Sequence, residues 1–335
     1  MTGFELYLKA NTRKFEKYLN TFFADGTHPD MTKYLYGPLR RFSRNAGKRH
    51  RPLICLLACE AVGGDPKRAW PSAAAIEHFH TAALIHDDIE DASLTRRDEP
   101  CLHVTEGEGI GINAGDLALA LVCGTVVDDP GLDDATKLRV LSELVSMTER
   151  TIEGQALDIG WARDERYDLT VEDYVVMANH KTAFYSGGVP LAVGAIIGGG
   201  TDEQVEVLRD FGMAAGLAFQ IQDDILNLVG TREATKKDFR SDITEGKRTL
   251  PAIHALRNSP RAERLQEILS MRTTDSGLLA EAVEIMEGSG SIQFARRFAE
   301  DLIVEAKERL VEALPPSGAR DLLASMADFF IERQS

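Results

Sequence analysis

The segment Asp87-Asp88-Ile89-Glu90-Asp91 crowds four carboxylates into little more than one helical turn at the end of an apolar run. Asp87 and Asp91 lie one turn apart on one face, with Asp88 beside them. Like charges at that spacing repel, so the cluster weakens its own helix unless a cation is shared. Hard oxygen donors with no histidine among them suit Mg²⁺, which commonly bridges carboxylates to substrate phosphates. The competing account is a solvated acidic helix end. A second acidic stretch, Gln220-Ile221-Gln222-Asp223-Asp224-Ile225-Leu226-Asn227, again closes an apolar run. It leads to Lys236-Lys237 and then to Asp242-Ile243-Thr244-Glu245-Gly246-Lys247-Arg248. Two such pairs are harder to attribute to chance than one. Facing each other across a cavity, they could hold a diphosphate between metal ions. Lys237 and Lys247 would then stabilise the charge of a leaving diphosphate.

Two basic clusters stand out against this acidity: Gly47-Lys48-Arg49-His50-Arg51-Pro52, and Arg96-Arg97. The 335-residue chain carries a formal net charge of −15. That field disfavours nucleic acid and anionic membrane as partners. Clustered cations in such a chain suit a second, metal-free diphosphate, since the arginine fork matches phosphate oxygens and lysine adds a compact charge.

The elements that must carry these groups read as helices. Apolar positions around Ile76, Phe79, His80, Ala83, Leu84 and Asp87 recur at three and four residues, and no series of alternating strands is visible. Gly198-Gly199-Gly200 ends one helix, and Thr201 to Gln204 forms a capping box for the next; Thr170 to Asp173 repeats the device. Ser259-Pro260 reads as an N-cap with proline at the first helical position. Pro315-Pro316-Ser317 breaks the chain before a last short helix. No linker or repeat divides the sequence, so the expectation is one all-α domain over 1–335, a single large helical bundle around a central substrate cavity. Cys55 and Cys59, one turn apart in an apolar run, are expected to be small buried side chains. The cysteines show no disulfide-framework spacing and no zinc signature, and the N-terminus shows no apolar signal segment. The apolar stretches Gly115 to Val127 and Gly187 to Gly200 are too short to span a bilayer, so no membrane span is expected. A reducing cytoplasm fits.

Taken together, Gly47–Pro52, His80–Arg97, Gly154–Asp158 (Gly-Gln-Ala-Leu-Asp), Lys181–Thr182 and Phe219–Lys247 resemble the trans-prenyl diphosphate synthases in order and spacing. The likeness covers about two thirds of the chain, and the second motif, with Asn227 where many members carry aspartate, most resembles the geranylgeranyl diphosphate synthases. The resemblance implies an isoprenoid-synthase-type fold and a homodimer. It implies a transferase that condenses isopentenyl diphosphate with an allylic diphosphate. By the same resemblance Asp87, Asp88, Asp91, Asp223 and Asp224 bind three Mg²⁺ ions on the allylic diphosphate, which Arg96, Lys181, Lys237 and Lys247 also contact. Lys48, Arg51, His80 and Arg97 would hold isopentenyl diphosphate, with Phe219 against its hydrocarbon. Thr182 and Gln220 would stabilise the allylic cation through their dipoles, and the departing diphosphate would take the final proton. Two positions depart from the pattern: Asp98 and Ala183 stand where glycine is usual, and the charge of Asp98 would partly offset Arg97.

Rival readings are a class I terpene cyclase and a non-catalytic regulatory subunit. A cyclase needs one diphosphate site and usually carries an Asn/Ser/Glu metal triad in its second motif, whereas this chain keeps Asp223-Asp224 and both basic clusters. A regulatory subunit should lose its carboxylates, and both motifs are intact. For chain length, residues before Asp87 on its helix face should line the tail. That face carries Leu84, Ala83, His80 and Phe79. The resemblance implies that bulky residues four or five positions before the motif stop elongation, and the small Ala82 and Ala83 there leave the upper pocket open. Phe79 is either the first large side chain that could form a floor or an ordinary core residue. Geranylgeranyl diphosphate is the expected main product, with farnesyl or longer chains as alternatives.

Overall fold

In the computed structural model the described residues are 2–23, 25–44, 47–230 and 239–332. They are almost wholly helical, which is the all-α class expected. The chain forms two compact units. The first comprises Met1–Ser146, Pro190–Glu206 and Leu314–Leu323, and the second Met147–Val189, Val207–Ala313 and Ala324–Ser335.

The first unit contains α1 (Gly3–Leu19), α2 (Gly37–Arg44), α3 (His50–Ala61), α4 (Trp70–Glu90) and α5 (Glu108–Val127). It also holds the beginning of α6 (Asp134–Arg163), nearly all of α8 (Val189–Gly198) and the start of α9 (Asp202–Val229). The second unit contains α7 (Val171–Ala178), most of α6 and α9, and α10 to α13 (Leu250–Asn258, Ala262–Met271, Ser276–Gly288 and Ser291–Ala313). Its last element is the greater part of α14 (Gly318–Glu332).

Local signals set most boundaries. Thr170 and Asp173 cap each other at the start of α7, and Thr201 and Gln204 do so at α9. Gly199, at φ +78°, takes the left-handed turn that ends α8. The Ser259-Pro260 expectation is off by two residues. Ser259 instead closes α10, its hydroxyl accepts from the Arg261 amide, and α11 starts at Ala262.

Small residues let the first unit pack closely. A Cβ on Gly194 would lie 2.1 Å from the Cys55 carbonyl, and one on Gly198 2.7 Å from that of Cys59. Cys55 and Cys59 are fully buried, as expected. α5 lies along α4 on its own glycines: a Cβ on Gly115 would meet His86 at 2.3 Å and one on Gly111 would meet Ile89 at 3.0 Å. The sequence reading misjudged this segment's length. The helix runs for 20 residues, long and apolar enough to cross a membrane by length and composition. A core helix passes the same test, and here Ala114, Ala118, Val122 and Val126 are buried.

One buried group predicts a pH effect. His78 on α4 sits edge-on between the rings of Phe22 and Phe23 at 5.3 and 5.4 Å, and neither ring nitrogen has a hydrogen-bond partner among the described residues. Burial pushes its pKa down from 6.5 to about 4. Below pH 6.5 the unfolded chain takes a proton that the folded chain refuses, so stability falls as pH drops from 6.5 towards 4, by up to about 3 kcal/mol. Above 6.5 the group is neutral in both states. His78→Phe should therefore raise the melting temperature at pH 5 and leave it nearly unchanged at pH 8. Equal shifts at both values would contradict the assignment.

Candidate active site

The first acidic motif occupies the last turn of α4, with Asp91 at its C-cap. Asp88 is buried, and Arg96 reaches back to the pair: Nε donates to Asp88 Oδ1 at 2.7 Å and Nη2 to Asp87 Oδ2 at 3.0 Å. Burial raises the Asp88 carboxyl, and Arg96 opposes the shift.

Arg96 is delivered by a two-residue hairpin that pairs β1 (Thr95–Arg96) with β2 (Glu99–Pro100). Its central residues, Arg97 and Asp98, both have positive φ, +54° and +67°. A turn of that kind favours glycine, and aspartate is among the residues that tolerate it. The glycine usual at position 98 therefore has a backbone reason, which the reading of Asp98 as a charge change had missed.

A second cluster in the same unit collects cations. A Cβ on Gly47 would lie 3.1 Å from Arg97 Nη1 and 3.4 Å from Arg49 Nη1, so both guanidiniums abut this backbone. Arg51 Nη1 lies 3.3 Å from His80 Nε2. Burial, reinforced by Arg51 and Arg97, pushes the His80 pKa well below its usual value, leaving the ring neutral. Burial with Arg49 nearby brings Arg97 down to about 10. Arg49 itself turns inward: it is buried, and it donates to Glu77 and to the Ser43 carbonyl, both at 2.5 Å. Lys48 is exposed, and its carbonyl accepts from Thr12.

In the second unit the Gly-Gln-Ala-Leu-Asp segment shows its purpose. A Cβ on Gly154 would lie 2.1 Å from the Lys181 amide nitrogen, so glycine lets α6 press on the π-helical stretch Asn179–Gly188. One turn further along α6, buried Asp158 pairs with Lys181 Nζ. Burial alone would raise the Asp158 carboxyl, but Lys181 and Lys247 outweigh it and hold the group below the usual range. From α9, Gly212 and Gly216 admit the backbone of Gly187 and Ala183. A small buried residue suffices at 183, so that departure is minor.

The π-helical stretch aims Thr182 at α9. Thr182 Oγ1 donates to Gln220 Oε1 at 2.6 Å, and Gln220 Nε2 donates to Asp224 Oδ1 at 2.8 Å. Tyr174 of α7 donates its hydroxyl to the other oxygen, Asp224 Oδ2, at 2.7 Å. Burial pushes the Asp224 carboxyl up to about 7, against the pull of Tyr174 and Gln220. Asp223 is half-buried. Phe219, also half-buried, meets the ring of Phe330 on α14 edge-on at 4.8 Å. Asn227 makes two contacts to the following turn: its amide nitrogen donates to Ser241 Oγ at 3.0 Å while its oxygen accepts from the Asp242 amide at 3.3 Å. This ties the helical turn Ser241–Thr244 to the end of α9. Lys247 follows it, paired with Glu245 at 2.5 Å, and buried Arg248 anchors the strand of chain by stacking on Tyr167 at 4.1 Å. Lys237 lies outside the described residues.

Within the first unit the structure thus joins Asp87, Asp88 and Arg96, and gathers Arg51, His80 and Arg97. Within the second it joins Thr182, Gln220 and Asp224, and pairs Lys181 with Asp158. Sequence reasoning missed Tyr174 and the pairing of Asp158 with Lys181. Tyr174 had only its position, two turns before Lys181, as a signal; Asp158 ends the Gly154–Asp158 segment of the resemblance, which gave it no partner. Among the described residues no three or more His, Cys, Asp or Glu side chains converge as a ready-made cation site. The donors that are present, carboxylates without histidine, fit Mg²⁺, whose shell is ordinarily completed by water and substrate phosphate.

A family model described as polyprenyl synthetase matches residues 32–286. A short chain isoprenyl diphosphate synthase of Methanothermobacter thermautotrophicus is 43% identical over 288 residues, 86% of this chain and 87% of that one. The crystal structure of geranylgeranyl pyrophosphate synthetase from Pyrococcus horikoshii superposes with a TM-score of 0.89 at 33% identity, covering 98% of both chains. The geranylgeranyl pyrophosphate synthase of Corynebacterium glutamicum, complexed with isoprenyl diphosphate and magnesium, gives 0.86 at 29% identity and covers 99% of both.

Proposed function

Because this chain belongs to the polyprenyl synthetase family, and is a transferase that joins isopentenyl diphosphate to an allylic diphosphate, we propose that its main product is geranylgeranyl diphosphate. Ala83, small and half-buried four residues before the first acidic motif, supports a C20 chain over a shorter one. Asp87, Asp88 and Asp91 of the first motif and Asp223 of the second hold Mg²⁺, three ions in all. Bound there, magnesium would neutralise the allylic diphosphate and favour its departure.

The chain's own groups do the rest. Lys181, held by Asp158, and Lys247 stabilise the departing diphosphate, with Arg96 and Lys237 beside it. Thr182 and Gln220 turn their oxygen dipoles to the allylic cation. Lys48, Arg51, His80 and Arg97 hold isopentenyl diphosphate, with Phe219 against its hydrocarbon. The released diphosphate accepts the last proton, so no side chain serves as base. One observation carries this reading: Arg51 and Arg97 crowd against a neutral His80 in a chain of net charge −15. Cations held that close favour a bound polyanion. The test is incubation of the purified protein with Mg²⁺, isopentenyl diphosphate and each short allylic diphosphate, with products identified by mass. Geranylgeranyl diphosphate should dominate, EDTA should abolish turnover, and added Mg²⁺ should restore it. Full activity in EDTA would overturn the metal-dependent reading.

The working form is a homodimer in the cytoplasm, the whole chain acting as one catalytic domain. Cys55, Cys59, Cys101 and Cys123, all present as thiols outside any disulfide, support a reducing compartment. Support for the dimer comes from α6, where Leu138, Val145, Ile152 and Ile159 recur every seventh residue and are 71, 46, 59 and 42% exposed. A seven-residue apolar seam is the pattern of a helix that meets a partner. Light scattering should report a dimer at micromolar concentration, and Leu138→Glu with Ile152→Glu should shift it to a monomer. A monomeric parent protein would refute the dimer.

A further inference from the structure

We propose that Tyr174 is a positioning residue of the condensation, acting through Asp224 to fix which way the Gln220 amide points. The inference rests on the role given above to Thr182 and Gln220. An amide is nearly symmetrical in outline, and reversing it would exchange Oε1 and Nε2. Here the choice matters, because only Oε1 can accept from Thr182 Oγ1 and present an oxygen dipole to a cationic carbon.

The choice is made at Asp224. Gln220 Nε2 donates to its Oδ1 at 2.8 Å, and Tyr174 donates to its Oδ2 at 2.7 Å. In the ionised form both oxygens are therefore acceptors, and a reversed Gln220 would set its carbonyl against a carboxylate oxygen. Tyr174 holds the carboxylate in the rotamer that enforces this. It is 1% exposed, as suits a side chain whose hydroxyl needs a buried partner. Asp224 is itself 4% exposed, with a donor on each oxygen, whereas Asp223 beside it is half-buried. In the second acidic motif Asp223 is thus the metal-facing carboxylate, and Asp224 anchors the amide. The chain Tyr174–Asp224–Gln220–Thr182 joins α7, α9 and the π-helical stretch, with all four side chains in one compact unit.

Tyr174→Phe removes the hydroxyl and keeps the ring. It should lower kcat about ten- to hundredfold, the scale of losing one buried hydrogen bond to a charged group. The KM for isopentenyl diphosphate should stay within about twofold, because that substrate is not held by this chain. Asp224→Asn should show the same split, and the double variant should lose little more than either single one. Calorimetric titration of Mg²⁺ into the protein with an unreactive allylic thiolodiphosphate should give near-parental affinity for Tyr174→Phe and Asp224→Asn. Asp223→Ala should bind the metal much more weakly.

A readout independent of turnover is hydrogen exchange of the Gln220 side-chain amide, identified by its loss in Gln220→Leu. Exchange should be slow in the parent and at least about tenfold faster in Tyr174→Phe. That measurement decides the inference even if the parent makes no prenyl product, an outcome that would sink only the functional reading. Should Tyr174→Phe fail to fold, Asp224→Asn carries the same measurements with the tyrosine in place. Additive losses in the double variant, unchanged amide exchange, or Mg²⁺ affinity lost as in Asp223→Ala would each overturn the proposal.

Discussion

Asp87→Ala and Asp223→Ala are each expected to lower turnover about 10²- to 10³-fold, the scale on which removing one group that stabilises developing charge is felt. The melting temperature should move little. Asp87 shares Arg96 with Asp88, and a partly exposed ion pair of this kind contributes at most about 1 kcal/mol. Removing Asp87 also relieves repulsion within the motif, while Arg96 keeps its 2.7 Å contact to Asp88. Measured side by side, kcat and thermal unfolding separate a chemical role from a structural one. A variant with turnover near the parent's would remove that carboxylate from the catalytic machinery.

Ala83→Phe should shift the product from geranylgeranyl towards farnesyl diphosphate, and Phe79→Ala should lengthen it. Both positions lie on α4 one and two turns before Asp87, where a tail leaving the motif would run. Ala83 is half-buried, so a ring there enters space beside the helix. Ala82 is a poorer probe. It is fully buried one turn before His86, on the face that meets α5, and a ring there would overpack the core at a cost of about 1–3 kcal/mol. Phe79 is 2% exposed, and its removal opens volume at the depth of the proposed floor. Mass analysis of products from dimethylallyl and geranyl primers for Ala83→Phe, and from farnesyl and geranylgeranyl primers for Phe79→Ala, decides the matter. If neither variant changes the distribution, the tail does not follow this helix face.

Much of this protein was legible in its sequence because the relevant signals are local. Helical period, the Thr170/Asp173 and Thr201/Gln204 boxes and the glycines after α8 each involve groups within four residues, and the structure repeats them. The charge clusters announced two anion-binding chemistries for the same reason: like charges on one turn are costly without a counter-ion. What only the tertiary structure decided involves residues distant in the chain. Tyr174 and Asp224, fifty positions apart, meet because α7 and α9 pack together, and no spacing rule connects them. Gly154 opens a segment of the family resemblance, but why glycine stands there shows only when the Lys181 backbone is found against it. Asp98 looked like an electrostatic departure until the hairpin showed two residues at positive φ. Asn227 served in the sequence only to mark the likeness to geranylgeranyl diphosphate synthases; the structure shows its amide donating to Ser241 and accepting from Asp242. In each case residue type sets what a side chain is able to do. Which of those capacities is used depends on the neighbour that packing supplies, and that neighbour is specified by the whole fold.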